Sequence, residues 1–194
     1  MAMPFTSEQR DAIRRKLFES ARRHAICDGP QKTSLDALTS DAGISKSSFY
    51  KFYESKEQLF LEVAGSWEAD VIAAAMAALS ARREGSDKER AAVFVYTAFE
   101  RIHQLGIVRF LREDLPYLNT FIPQDMARTH YLSSANSIFA RLREENIHFT
   151  APDEIVLSVI QLMYLSILNI GDIGDSFFPA LHVLVQSACD RLVA

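Results

Sequence analysis

Apolar residues recur at helical spacing along nearly the whole chain, and no stretch alternates apolar with polar residues long enough to make a half-buried strand. That pattern predicts an all-α fold. The seven Gly and six Pro fall between the periodic segments, where they punctuate helices. Thr6 with Gln9 reads as a capping box opening a first helix, with Ile13, Leu17, Ala21 and Ala25 on one face. Gly29-Pro30 ends it. Thr33 with Asp36 signals a short second helix that Gly43 stops, and Ser45 caps a third over 46–53. Ser55 with Gln58 opens a long fourth helix through Leu59, Phe60, Val63, Trp67 and Val71 to residue 83 or so. Helices over 87–105, 107–118 (interrupted by Pro116), 123–146, 152–170 and from Asp175 or Ser176 onward complete the pattern, about nine in all. No linker is long enough to free one part from another, so the fourth helix must bridge front and back.

Composition narrows the function classes. Apolar residues make up 48% and charged residues 24%, the balance of a globular chain. Cys27 and Cys189 cannot staple a fold of this length and fit a reducing compartment, so a cytoplasmic location is expected. The charged start lacks the form of a signal peptide. The longest apolar stretch, 155–170, carries Ser158, Gln161, Ser166 and Asn169 and falls short of the ~20 residues of a membrane span, so no membrane partner is expected. His24, His103, His130, His148 and His182 include no pair at i, i+4, and neither a metal site nor a cofactor is expected. No P-loop, GxGxxG or GxSxG is present, which argues against an enzyme. Charge is uneven: residues 1–60 carry 10 of the 21 Lys+Arg against 8 of the 25 Asp+Glu, so the acidic excess lies in the remainder.

The most specific signal is residues 33–58, TSLDALTSDAGISKSSFYKFYESKEQ. Two short helices separated by Gly43-Ile44-Ser45 form a helix-turn-helix. Ala42 is small enough for close approach, Gly43 permits positive φ, Ile44 plugs the turn and Ser45 caps the second helix. Leu38, Phe49 and Tyr53 can point inward, leaving Lys46, Ser47, Ser48, Tyr50 and Lys51 free to donate hydrogen bonds in a DNA major groove. The segment AGISKSSFYKFYESKEQLF resembles the DNA-binding signature of the tetracycline-repressor (TetR) family of transcriptional regulators, over roughly residues 6–60. The resemblance implies a homodimer, a palindromic operator in double-stranded DNA, and a C-terminal domain that binds a small inducer. By position it places Lys46, Ser47 and Ser48 near bases or adjacent phosphates, and Thr33, Tyr50 and Lys56 on phosphate. With Ser45 and Lys51 these form the candidate DNA-contacting set. Three positions depart from the family pattern: Ser47 where Gly is frequent, Phe52 where His or Tyr is usual, and Glu54 where Pro is common.

This organisation divides the chain into a DNA-binding domain, residues 1–54, and a ligand-binding and dimerisation domain, residues 55–194. The second is rich in aromatics. Trp67, Phe99, His103, Tyr131 and Tyr164 are the candidate lining of a pocket for a hydrophobic or aromatic ligand. In the last two helices, Ile155, Leu162, Met163, Leu181, Leu184 and Val185 spread over more than one face, which predicts an interface made by two helices from each subunit. The recognition helices of such a dimer would sit about 34–36 Å apart. A regulator without a small-molecule inducer, its C-terminal part serving only dimerisation or protein contacts, is the alternative. A helical enzyme is the distant third reading.

Overall fold

The computed structural model describes residues 5–194, apart from the side chains of Ala127 and His130. Its helices are α1 (Ser7–Cys27), α2 (Leu35–Ala42), α3 (Lys46–Phe49), α4 (Lys56–Ala81), α5 (Asp87–Gln104), α6 (Leu115–Asn119), α7 (Gln124–Glu144), α8 (Asp153–Ile167), α9 (Ile170–Ile173) and α10 (Phe177–Leu192). A π-helical turn, Phe110–Asp114, precedes α6, and a 3-10 turn, Gly174–Ser176, precedes α10. The described residues contain no strand, only a single bridge between Phe149 and Val193.

Local chemistry sets most of these boundaries. Thr6 and Gln9 make the expected capping box, and Ser45 caps α3 by accepting the Ser48 N–H. Gly43 ends α2 at φ 70°. The cap of α2 is Ser34, not Thr33: the Ser34 hydroxyl accepts the Ala37 N–H at 3.1 Å, while Thr33 is buried one position earlier. A second capping box, Ser86 with Glu89, opens α5. Helix α3 is shorter than the expected 46–53; Tyr50, Lys51 and Phe52 follow it in a turn closed by bonds from Lys51 to Ser48 and Phe52 to Phe49. Pro116 explains the π-turn. Its ring would crowd the carbonyl of Arg112 in a regular α-helix. The wider turn, in which the Leu115 N–H bonds to Phe110, relieves that crowding.

The chain forms two compact units. One comprises the chain up to Trp67 together with Arg109–Phe121; the other comprises Glu68–Val108 and Ile122–Ala194. In the first, α1 packs on α2 around Leu17, Ala21, Leu38 and Phe49, with Leu59, Phe60 and Val63 of α4 also buried. Trp67 is 1% exposed and meets Phe110 edge-on at 5.0 Å. Arg109 donates to the last carbonyls of α1, Ala25 and Ile26, and to Asp114 at 3.2 Å, so segment 109–121 is tied to the α1 end. In the second unit α5 packs against α8 and α10, around Phe94, Phe99, Met163, Leu181 and Val185.

Candidate nucleic-acid interface

The turn between α2 and α3 presents a short helix whose inner side is anchored by buried Phe49 and whose outer side is polar. Phe49 meets Tyr53 at 5.7 Å and Tyr50 at 5.6 Å. Tyr53 is buried, and its hydroxyl titrates above the ordinary tyrosine range, chiefly because of that burial and next because of Glu62. Arg14 bonds Glu62 at 2.9 Å and lies over the Tyr53 ring, which fixes α1 against the start of α4. Ser20, Arg23 and His24 of α1 converge on Asp41 of α2, with the Ser20 hydroxyl donating at 2.6 Å. That bond, more than the neighbouring cations, holds Asp41 below its ordinary pKa.

The candidate DNA residues then sort by exposure. Ser45, Lys46, Ser47, Tyr50 and Lys51 are exposed, and Tyr50 is 61% exposed. Ser45 Oγ lies 3.0 Å from the hydroxyls of both Ser47 and Ser48, so the three serines form one polar cluster at the start of α3. Lys46 faces solvent but pairs with Asp36 at 2.7 Å. Two residues are occupied internally. The Thr33 hydroxyl is buried and donates to the Gly29 carbonyl at 2.8 Å. Lys56 spends two of its donors on the carbonyls of Pro30 and Thr33, each at 2.8 Å, so it does not point freely to solvent. Both hold the loop between α1 and α2. Phe52 is half-buried beneath the Arg10 guanidinium. Sequence reasoning passed over Arg10, because only the fold brings it to the end of α3.

The predicted ligand residues differ in their surroundings. Trp67 belongs to the first unit and Phe99 to the core of the second, while Tyr131 is 45% exposed. His103 is exposed with its ring edge-on to Phe178, and Tyr164 is partly covered. None of the five lines the apolar cavity of the second unit. That cavity measures about 30 Å3, room for one water-sized group, between Phe94, Val95, Phe149, Val159, Met163 and Cys189 among others. Burial pushes the Cys189 thiol up to about 11, so it serves there as a neutral apolar wall.

Comparison with known proteins agrees with this geometry. Residues 17–63 match the family profile described as bacterial regulatory proteins, tetR family. Among solved structures, a TetR-family transcriptional regulator from Mesorhizobium loti superposes with TM-score 0.66 at 17% identity, covering 96% of each chain. One from Pectobacterium atrosepticum gives 0.65 at 19%, covering 96% of this chain and 94% of that one. The regulator FadR from Bacillus subtilis, solved in complex with stearoyl-CoA, gives 0.59 at 13%, covering 91% and 95%. No curated protein matches the sequence at a significant level. The fold is that of all-α helix-turn-helix proteins. Residues 17–63 match the tetR family profile, and the chain as a whole shares the fold of TetR-type transcriptional regulators.

Proposed function

We propose that the protein is a homodimeric repressor that grips a palindromic DNA operator and releases it when a small apolar ligand enters the C-terminal part. In this reading residues 1–54 contact DNA and residues 55–194 dimerise and bind ligand. One observation carries the dimer. Ile155, Leu162 and Leu165 of α8 are exposed, as are Val183 and Leu184 of α10, and no charged residue falls within 155–171. Leu162 is 68% exposed. A solvated helix face without a single charge is costly to leave in water and typical of an interface core. Met163, Leu181 and Val185, on the same two helices, are already buried in their own unit, so the exposed set is the face left for a partner.

The ligand reading rests on a neighbour's bound molecule and on the apolar cavity. FadR from Bacillus subtilis has this fold and holds stearoyl-CoA. The apolar cavity here lies on α5, α8 and α10, the two latter being the proposed dimer helices, and it must widen to accept anything larger than a water-sized group. A ligand that opens it therefore acts on the interface helices. The direct test selects duplexes from a random DNA pool, then measures binding by fluorescence anisotropy while apolar compounds, long-chain acyl-CoA among them, are titrated. Release over the range in which the same compound raises the melting temperature is expected. Palindromic selection without any releasing compound would favour the alternative, a regulator lacking a small-molecule inducer.

A further inference from the structure

We propose that Arg10 and Lys51 form a further phosphate-binding site, held at the end of α3 by the tilted ring pair of Phe5 and Phe52; the proposal rests on the DNA-binding reading above. The Phe5 and Phe52 centroids lie 5.9 Å apart. The Arg10 guanidinium sits 5.3 Å from the centre of Phe52, and the Lys51 ammonium 5.5 Å from the centre of Phe5. Arg10 Nη2 also donates to the Lys51 carbonyl at 3.3 Å. Two cations, one from α1 and one from the turn after α3, are thus held on one pair of rings, rather than swinging freely on flexible stems.

Charge accounting then distinguishes this pair from its neighbours. Arg14 is paired with Glu62, Arg23 with Asp41 and Lys46 with Asp36. Among the described residues, neither Arg10 nor Lys51 pairs with a carboxylate, and both are exposed. Like charges held together repel, and an anion within reach of both relieves the repulsion. A guanidinium offers five donors, of which the Lys51 carbonyl uses one, leaving a fork suited to two oxygens of a phosphodiester. Lys51 directly follows Tyr50, the most exposed of the ring-bearing residues at the reading helix. The anion placed there is one on the DNA strand against which α3 lies. Phe52 has no polar atom to offer a phosphate; its ring supplies the platform for the group that does.

The test measures binding of a mixed-sequence DNA duplex over a salt series, by anisotropy, for wild type, Arg10→Gln, Phe52→Leu and Phe52→Tyr, with Lys46→Ala as reference. Arg10→Gln should weaken binding roughly three- to tenfold and lower the salt slope by about one. Phe52→Leu should lose part of that affinity although every charge remains, Phe52→Tyr should keep it, and the double variant Arg10→Gln with Phe52→Leu should bind about as well as Arg10→Gln alone. Wild-type affinity and slope in an Arg10→Gln protein that melts normally would overturn the site while leaving DNA binding intact. An effect of Arg10→Gln with none from Phe52→Leu would overturn the role of the rings. A wild-type protein that binds no duplex, including one selected from a random pool, would overturn the DNA-binding reading and this site together.

Discussion

Lys56 places its ammonium against the carbonyls of Pro30 and Thr33, both at 2.8 Å, and so joins the start of α4 to the loop that leads into α2. Truncation leaves two carbonyls short of a charged donor, each such bond being worth more than a neutral one. Lys56→Ala is expected to lower stability by about 1–2 kcal/mol, read by chemical denaturation, in addition to any weakening of DNA binding. Lys46→Ala, whose partner Asp36 is exposed, should leave stability almost unchanged. Asp41 makes a different, pH-dependent contribution. Its folded pKa lies below the ordinary value, first because Ser20 donates to it and then because Arg23 and His24 sit beside it. A depressed carboxylate contributes stability that is present above its unfolded pKa, near 3.9, and is lost as pH falls through the folded value. The melting temperatures of wild type and Asp41→Asn should therefore differ most near neutrality and converge below about pH 4. A difference that grows towards acid would contradict the assignment.

At the scale of elements, the turns are where backbone geometry is least forgiving. Gly43 stands at φ 70° with open space where a side chain would go, so Gly43→Ala should cost only the left-handed backbone, about 1 kcal/mol. Gly29 has φ 83°, and a Cβ there would come within 2.7 Å of Asp114 Oδ1, so Gly29→Ala should cost clearly more. Comparing the two by denaturant unfolding separates backbone strain from collision. These contrasts also mark how far the sequence could be read. Caps such as Thr6, Ser45 and Gly43 depend on residues three or four apart, and the fold repeats them as expected. The shortened α3 was hidden because Tyr50 and Phe52 fit a helical period as well as they fit a turn. The π-turn was marked only by Pro116, which shows that a helix is disturbed but not how. The inward role of Lys56, the stacking of Arg10 on Phe52 and the position of the cavity all join residues far apart in the chain, and no local pattern encodes them. None of the ligand candidates lines the small apolar cavity for the same reason: aromatic content measures how much core a domain has, not where it leaves a void.

At the scale of the whole molecule, the proposed dimer face, made of the uncharged stretch of α8 and the exposed Val183 and Leu184 of α10, would tie folding to association. A protein whose monomer leaves Leu162 and Leu184 in water should melt at a higher temperature as its concentration rises, because the partner acts as a ligand of the folded state. Scanning calorimetry over a hundredfold dilution checks this. Leu162→Glu combined with Leu184→Glu should abolish the concentration dependence and sediment as a single chain of 21.9 kDa. A melting temperature independent of dilution in wild type would exclude dissociation over that range. In the proposed dimer, the uncharged stretch 155–171 would also couple control to dosage. Where subunits separate, the pool able to span both arms of an operator scales with the square of the number of chains, so halving the copies leaves a quarter of the competent pairs. A cell that lets its supply run down would then see control lapse abruptly instead of fading in proportion.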